Sequence, residues 1–192
     1  LFAPLPSPFH FKRGGQLSGA RMAYETWGSL NSRGDNAVLI LSGLSPSAHA
    51  ASSEQNPEKG WWQAMLGEGK AIDTADWFVV CVNTLRSCKG STGPASLNPA
   101  TNQPYRLEYP DLSIEDCAKA AKAVIDHLQL DHLACVVGNS MGGMVAQEVM
   151  ARAPQAVAGL VLAGTSPAFG KPGGDWQQAF LQSRFAPLDA GL

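Results

Sequence analysis

Four short runs of apolar residues constrain this chain more than any other feature: AVLIL at 37–41, WFVVCV at 77–82, LACVV at 133–137 and VAGLVL at 157–162. None is long enough for an amphipathic helix, and none alternates with polar residues as a strand with one wet face must. Runs of this kind are strands buried on both faces, as in a mainly parallel sheet with its connections packed above and below. The intervening segments agree. Over 113–130 the apolar residues Ile114, Cys117, Ala121, Val124, Ile125 and Leu128 share one helical face. Ser113 is placed as N-cap, and Glu115 and Asp116 stand in a first turn whose dipole favours acids. Residues 141–152 read as a second helix, between the third and fourth runs. Strand and helix alternate, so the expected class is α/β. Apolar residues make up 45% of the 192 and charged residues 16%, enough to bury the core of one domain and unlike a disordered or fibrous chain.

Segments 9–12 and 22–27 read as further short strands, with turns at Arg13-Gly14-Gly15 and Arg33-Gly34-Asp35-Asn36. Residues 61–66 are expected as a short helix, and 83–105 as a polar, Gly-rich loop. After Ser166 the residues Pro167, Gly170, Pro172, Gly173 and Gly174 make a breaker-rich linker into a short amphipathic helix at 176–185. The domain reading is a core over 1–166 and the start of a lid or cap over 167–192. A net charge of −2 leaves no basic footprint for nucleic acid and no polybasic patch for a membrane. No apolar run approaches the roughly 18 residues of a spanning helix. The opening LFAPLP is too proline-rich for a signal peptide, and the start reads as trimmed. Cys81, Cys88, Cys117 and Cys135 form no CxxC pair, and Cys81 and Cys135 lie inside apolar runs. Reduced cysteines acting as small hydrophobes predict the cytoplasm.

The chemistry concentrates at 135–144, CVVGNSMGGM, which contains G-x-S-x-G at Gly138, Ser140 and Gly142 with an apolar strand before it and a helix after. A tight strand-to-helix turn strains the serine backbone, so small residues are needed two before and two after it. Gly143 then lets the helix approach the sheet. The serine stands at the helix N-terminus, where dipole and free N–H groups favour developing negative charge. This context makes Ser140 the predicted nucleophile and the fold an α/β-hydrolase-type doubly wound, mainly parallel sheet. In that fold one oxyanion donor is the N–H after the nucleophile, here Met141, and the second comes from an earlier strand's loop. That loop follows 37–41, and Leu44 is the candidate. His49 lies close by, but in this fold the base follows the serine, so a structural or substrate-lining role is expected. His10, His127 and His132 read as structural.

Five segments then carry a resemblance: GLSPSAHAAS at 43–52, GWW at 60–62, GKAIDT at 69–74, CVNTLRSCKGSTGPASLNPATNQPY at 81–105 and GNSMGGM at 138–144. In order and spacing they are similar to the homoserine/serine O-acyltransferases, from about residue 5 to about residue 147. The resemblance implies transfer of an acyl group from acyl-CoA to Ser140, then to the side-chain hydroxyl of homoserine or serine, in methionine or cysteine biosynthesis. It implies acyl-CoA as co-substrate with no bound cofactor or metal, small-molecule partners only, and an option of homodimerisation at full length. By the same resemblance Asn83, Ser91, Thr92 and Gly93 would line the active-site entrance. Leu44-Ser45-Pro46-Ser47 looks more like the succinyl-using branch than the acetyl-using one. Two positions depart from the family: Arg86, where a small residue is usual, and Asn139, before the nucleophile. From about residue 156 the chain is more similar to lactonase- or esterase-type α/β hydrolases, so hydrolysis of a carboxylic ester or lactone is the alternative activity.

The triad order of the fold is Ser, then Asp or Glu, then His. After Ser140 the acids are Glu148, Asp175 and Asp189, and no histidine follows. The sequence thus reads as truncated before the catalytic acid and base, and by itself nearly inactive, since serine without a base is a weak nucleophile. A non-catalytic α/β binding module is the third reading; an Asp and then a His about 150–200 residues further on would identify an enzyme.

Overall fold

The apolar runs form the middle of a six-stranded sheet. Along the residues described by this computed structural model, 1–87 and 89–166, the chain forms ten strands and two α-helices. The strands are β1 (Phe2–Pro4), β2 (Phe9–His10), β3 (Gln16–Leu17), β4 (Arg21–Trp27), β5 (Ala37–Leu41), β6 (Phe78–Val82), β7 (Leu97–Asn98), β8 (Gln103–Pro104), β9 (Cys135–Asn139) and β10 (Leu160–Ala163); the helices are α1 (Ile114–His127) and α2 (Met141–Arg152). The main sheet has the order β1-β4-β6-β5-β9-β10. Its four strands β6, β5, β9 and β10 are parallel, and β4 and β1 extend it antiparallel. The domain is thus an α/β fold with a mainly parallel sheet, as the runs predicted, and of the α/β-hydrolase type, as the Ser140 turn predicted.

Alternate residues of each central strand enter different cores. Leu39, Leu41, Val80, Val82 and Val136 pack under α1 and α2, with Val124 and Val145 among the helix contributions. Val38, Ile40, Val79, Cys81 and Val137 face the other side, where Trp27, Ala50, Ala51 and Leu66 cover them. Full burial of such a side chain stabilises the fold by about 1.5–3 kcal/mol, so an unbroken apolar run is favourable only with both faces covered. Helix α1 starts as a full capping box: Ser113 Oγ accepts from Asp116 N at 3.2 Å, and Asp116 Oδ2 accepts from Ser113 N at 3.0 Å. The other Asp116 oxygen accepts from Lys12 N at 3.0 Å, which ties the β2–β3 hairpin to the helix. That hairpin turns through Gly14 and Gly15 at φ 92° and 83°, in the region glycine enters freely.

The structure corrects the sequence reading in several places. Residues 61–66, expected as a helix, form turns over 61–65 and a single β-bridge from Leu66 to Ile72. The segment is pinned at Gly60, where a Cβ would stand 2.2 Å from Ala50 C, and ended by Gly67 at φ 143°, too short a span to propagate a helix. Its Trp61 and Trp62 rings stack at 5.3 Å and 13°. The run 157–162 becomes a strand only from Leu160, and Val161 and Leu162 are 50% and 43% exposed. These two neighbours point to opposite faces of the last strand in the sheet order, so among the described residues both faces there are half open. The 83–105 loop contains the β7–β8 hairpin, and β1, hidden in a proline-rich stretch, pairs Ala3 with Met22. Cys88, the lid reading of 167–192, Asp175 and Asp189 lie outside the described residues.

Candidate active site

Ser140 makes the whole turn between β9 and α2, at φ 53° and ψ −123°, a conformation non-glycine residues seldom hold. It is fixed from both sides: Ser140 N donates to Ala163 O of β10 at 3.0 Å, and Ser140 O accepts from Gly143 N at 3.1 Å. The glycines are required by close backbone approach. A Cβ on Gly138 would lie 2.5 Å from Gly142 O, one on Gly142 1.9 Å from Leu41 O, and one on Gly143 2.5 Å from Thr165 Cβ. Ser140 is exposed, and among the described residues its hydroxyl has no hydrogen-bond partner.

The loop after β5 closes against the serine. A Cβ on Gly43 would stand 3.5 Å from Ser140 Cβ, and Leu44, the next residue, is 75% exposed. Leu44 and Met141 line one cleft of about 490 Å³, walled by Leu85, Pro94 and Leu112 and by the cationic Arg86 and Lys89. Met141 is the first residue of α2, so its N–H has no intrahelical acceptor and points out of the positive end of the helix. The structure therefore sets Gly43 against Ser140 and places Leu44 and Met141, the residues next to each of them, on one cleft.

Asn83, Ser91, Thr92 and Gly93 are placed differently: they build the loop beneath the cleft and are buried. Asn83 Nδ2 donates to Lys89 O at 2.7 Å, and Ser91 Oγ donates to Asn83 O at 2.6 Å while accepting from Ala23 N at 2.9 Å. Thr92 Oγ1 accepts from Arg21 N at 2.9 Å, and Gly93 N donates to Ser96 Oγ at 3.0 Å. Ser91 and Thr92 thus fasten the loop to β4, while Asn83 and Gly93 brace it internally. The cleft is lined instead by their neighbours Thr84 to Ser87, Lys89, Pro94 and Ala95; of these, the sequence signalled only Arg86, as a departure. Asn83 Oδ1, Asn139 Oδ1 and Thr165 Oγ1 are buried without partners among the described residues.

No histidine serves Ser140 among the described residues. His49 Nδ1 lies 2.8 Å from Glu25 Oε2 and Nε2 lies 2.9 Å from Glu58 O, so a doubly protonated ring satisfies both acceptors. His127, at the end of α1, meets the Tyr24 ring edge-on at 6.3 Å. Glu148 pairs with Arg152 one turn along α2. Burial works against a charged His49, but the hydrogen bonds to Glu25 and Glu58 and the Glu25 charge outweigh it and raise its pKa above the ordinary histidine value. The contribution of the pair to stability is then complete below the unfolded pKa of about 6.5 and fades as pH rises through the raised folded value. Glu25→Gln should lower the melting temperature by about 2–4 °C at pH 6 and by less at pH 9. An equal loss at both pH values in thermal melts would show that the ring is neutral in the fold.

Burial holds the Cys81 thiol up, and pushes Cys117 up to about 12, which leaves both inert as nucleophiles. Among the described residues no group of three or more His, Cys, Asp or Glu could hold a metal ion, and no helix is long and apolar enough to cross a membrane.

Comparison with known proteins places these features in context. Residues 36–189 match the alpha/beta hydrolase fold family. The chain is 67% identical over 149 residues to the serine O-succinyltransferase of Stenotrophomonas maltophilia (strain K279a), a match that covers 78% of this chain and 40% of that enzyme. The chain therefore spans about two fifths of the length of the curated relatives it matches. Among solved structures, the homoserine O-acetyltransferase from Bacillus anthracis superposes with a TM-score of 0.79 at 32% identity, over 87% of this chain and 46% of that one. Esterase E22 superposes with a TM-score of 0.80 at 32% identity, over 97% of this chain and 52% of that one.

Proposed function

Because the chain belongs to the alpha/beta hydrolase fold family, we propose that it carries the nucleophile and oxyanion hole of an acyl-CoA-dependent O-acyltransferase whose acceptor is the hydroxyl of serine. The observation that carries the reading is the 67% identity to a serine O-succinyltransferase over 149 residues, together with a strained, exposed Ser140 next in the chain to Met141, which lines a cleft with Leu44. In the first half-reaction Ser140 Oγ attacks the thioester carbonyl, and the oxyanion forms against the N–H groups of Leu44 and Met141. The C–S bond breaks, CoA leaves as the thiol, and the acyl group remains as an ester on Ser140. In the second, the serine hydroxyl attacks that ester through the same oxyanion, and Ser140 Oγ takes the proton back. The catalytic acid and base come, in this reading, from chain beyond residue 192, as the triad order of the fold requires. The product carries an acylated hydroxyl, a better leaving group than the free one, which suits a route from serine to cysteine. Reduced, buried Cys81 and Cys117 fit a cytoplasmic setting. Succinyl-CoA is the preferred donor, in line with Leu44-Ser45-Pro46-Ser47; homoserine and acetyl-CoA are the competing pair.

The likeness to esterase E22 supports a second reading, in which water takes the acyl group. One experiment separates them. The chain is completed as a chimaera with the part of the Stenotrophomonas maltophilia enzyme that lies beyond the matched residues. Release of free CoA from succinyl-CoA should require serine. Thiol release that ignores the amino acid, with fast p-nitrophenyl ester hydrolysis, would make the protein a hydrolase.

A further inference from the structure

We infer that Arg86 and Lys89 form a carboxylate-reading wall of the active-site cleft, selecting an acyl donor that carries a second negative charge at the far end of its acyl chain. The inference rests on the acyl-transfer reading of this cleft and adds the charge of the group transferred. Its starting point is the lining. The residues around the cleft are apolar (Leu44, Leu85, Pro94, Ala95, Leu112, Met141) or hydroxyl-bearing, except Arg86 and Lys89. No acid lines it, in a chain whose net charge is −2. Neither cation makes an ion pair among the described residues, whereas Lys12, Arg33, Lys122 and Arg152 each do. A short neutral acyl group would gain nothing from two unpaired cations beside the oxyanion donors; a carboxylate would gain charge-assisted hydrogen bonds, and the guanidinium fork can meet it with two.

The second observation is the backbone. Arg86 sits at φ 74°, a left-handed conformation that favours glycine and strains an L side chain. A loop selected only for folding would place glycine there. The surroundings hold this conformation firmly. Arg86 N donates to Thr92 O at 3.0 Å, and Tyr109 Oη donates to the same carbonyl at 3.1 Å. Gly93 is pressed so close that a Cβ on it would stand 3.1 Å from Arg86 O and 2.6 Å from Ser87 O. The Arg86 guanidinium lies 5.8 Å from the centre of the Tyr109 ring, and that ring is buried. Strain maintained by a buried scaffold, with a cation at its tip that no acid pairs among the described residues, is the pattern of a binding element rather than of a surface turn.

The test measures binding without turnover. In the completed chimaera carrying Ser140→Ala, dissociation constants for succinyl-CoA and acetyl-CoA are determined by calorimetry, with and without Arg86→Gly, Arg86→Lys and Lys89→Gln. Arg86→Gly should weaken succinyl-CoA about tenfold or more and acetyl-CoA less than about twofold. Lys89→Gln should act in the same direction but less, and Arg86→Lys should recover part of the loss. The melting temperature of Arg86→Gly should be unchanged or higher, because glycine adopts φ 74° without strain. Equal weakening of both donors would overturn the inference, since it would place the cations on the phosphates common to both. So would unchanged affinity for succinyl-CoA, or a fall in melting temperature that accompanies loss of both donors. Failure of the acyl-transfer reading shows elsewhere, as CoA release independent of serine in the chimaera that keeps Ser140.

Discussion

A fluorophosphonate should label this chain at Ser140 and at no other serine, and the completed chimaera should react faster by on the order of 10³-fold or more. Ser140 holds the strained turn at the start of α2, and Leu44 and Met141, the proposed oxyanion donors, line one cleft. What is lacking is proton transfer. No histidine follows Ser140 in the sequence, and His49 is held by Glu25 and Glu58. Ser140→Ala should abolish labelling in both proteins, as read by mass spectrometry of the modified peptide. Ser45 is the control that matters, because it lines the cleft of Leu44 and Met141, whereas Ser91 is 3% exposed with its hydroxyl engaged. If Ser45 carries the label, or if completion leaves the rate unchanged, Ser140 is not the nucleophile.

Gly142→Ala should be the most damaging single methyl group that can be added at the site, lowering stability by about 3 kcal/mol or more and removing Ser140 labelling. The new Cβ would meet Leu41 O at 1.9 Å, Leu41 C at 2.6 Å and Ser42 O at 2.6 Å. All three are backbone atoms at the end of the central strand β5, and no rotamer change can move them aside. Gly143→Ala is the informative contrast. Its Cβ would collide with the Thr165 side chain at 2.5 Å, and Thr165 Oγ1 is already buried without a partner. Thr165→Gly should therefore restore much of the stability lost in Gly143→Ala, and should restore none of that lost in Gly142→Ala. Denaturant midpoints of the three single and two double variants decide the matter. Rescue of Gly142→Ala would mean that α2 can slide away from β5 and that the elbow is not locked by the sheet.

Local chemistry made part of this molecule readable before any coordinates. AVLIL matched β5 residue for residue, Met141–Arg152 matched α2, and Ser113 matched the cap of α1. Each depends on neighbours within a turn or on a residue's own need for burial. The elbow was legible for the same reason, since G-x-S-x-G states in five residues which positions cannot bear a Cβ. The helix expected at 61–66 failed because its fate lies with residues outside the window, above all the backbone of Ala50 against Gly60.

The sequence by itself determined a parallel sheet buried on both faces and a serine at its strand-to-helix turn with Met141 next to it, because these follow from burial, periodicity and steric limits acting over a few residues; Leu44 followed from the chain order of the fold, and only the tertiary structure brings its loop against Ser140. Only the tertiary structure decided which residues of the 83–105 loop line the cleft. Ala23 N bonds Ser91 Oγ and Arg21 N bonds Thr92 Oγ1, contacts across 68 and 71 residues of chain. Those bonds draw Ser91 and Thr92 down onto β4 and turn Arg86 and Lys89 outward to the cleft. A polar residue in a loop can satisfy its hydrogen bonds with the scaffold or with a ligand, and that choice is made by whichever partner the fold brings within 3 Å.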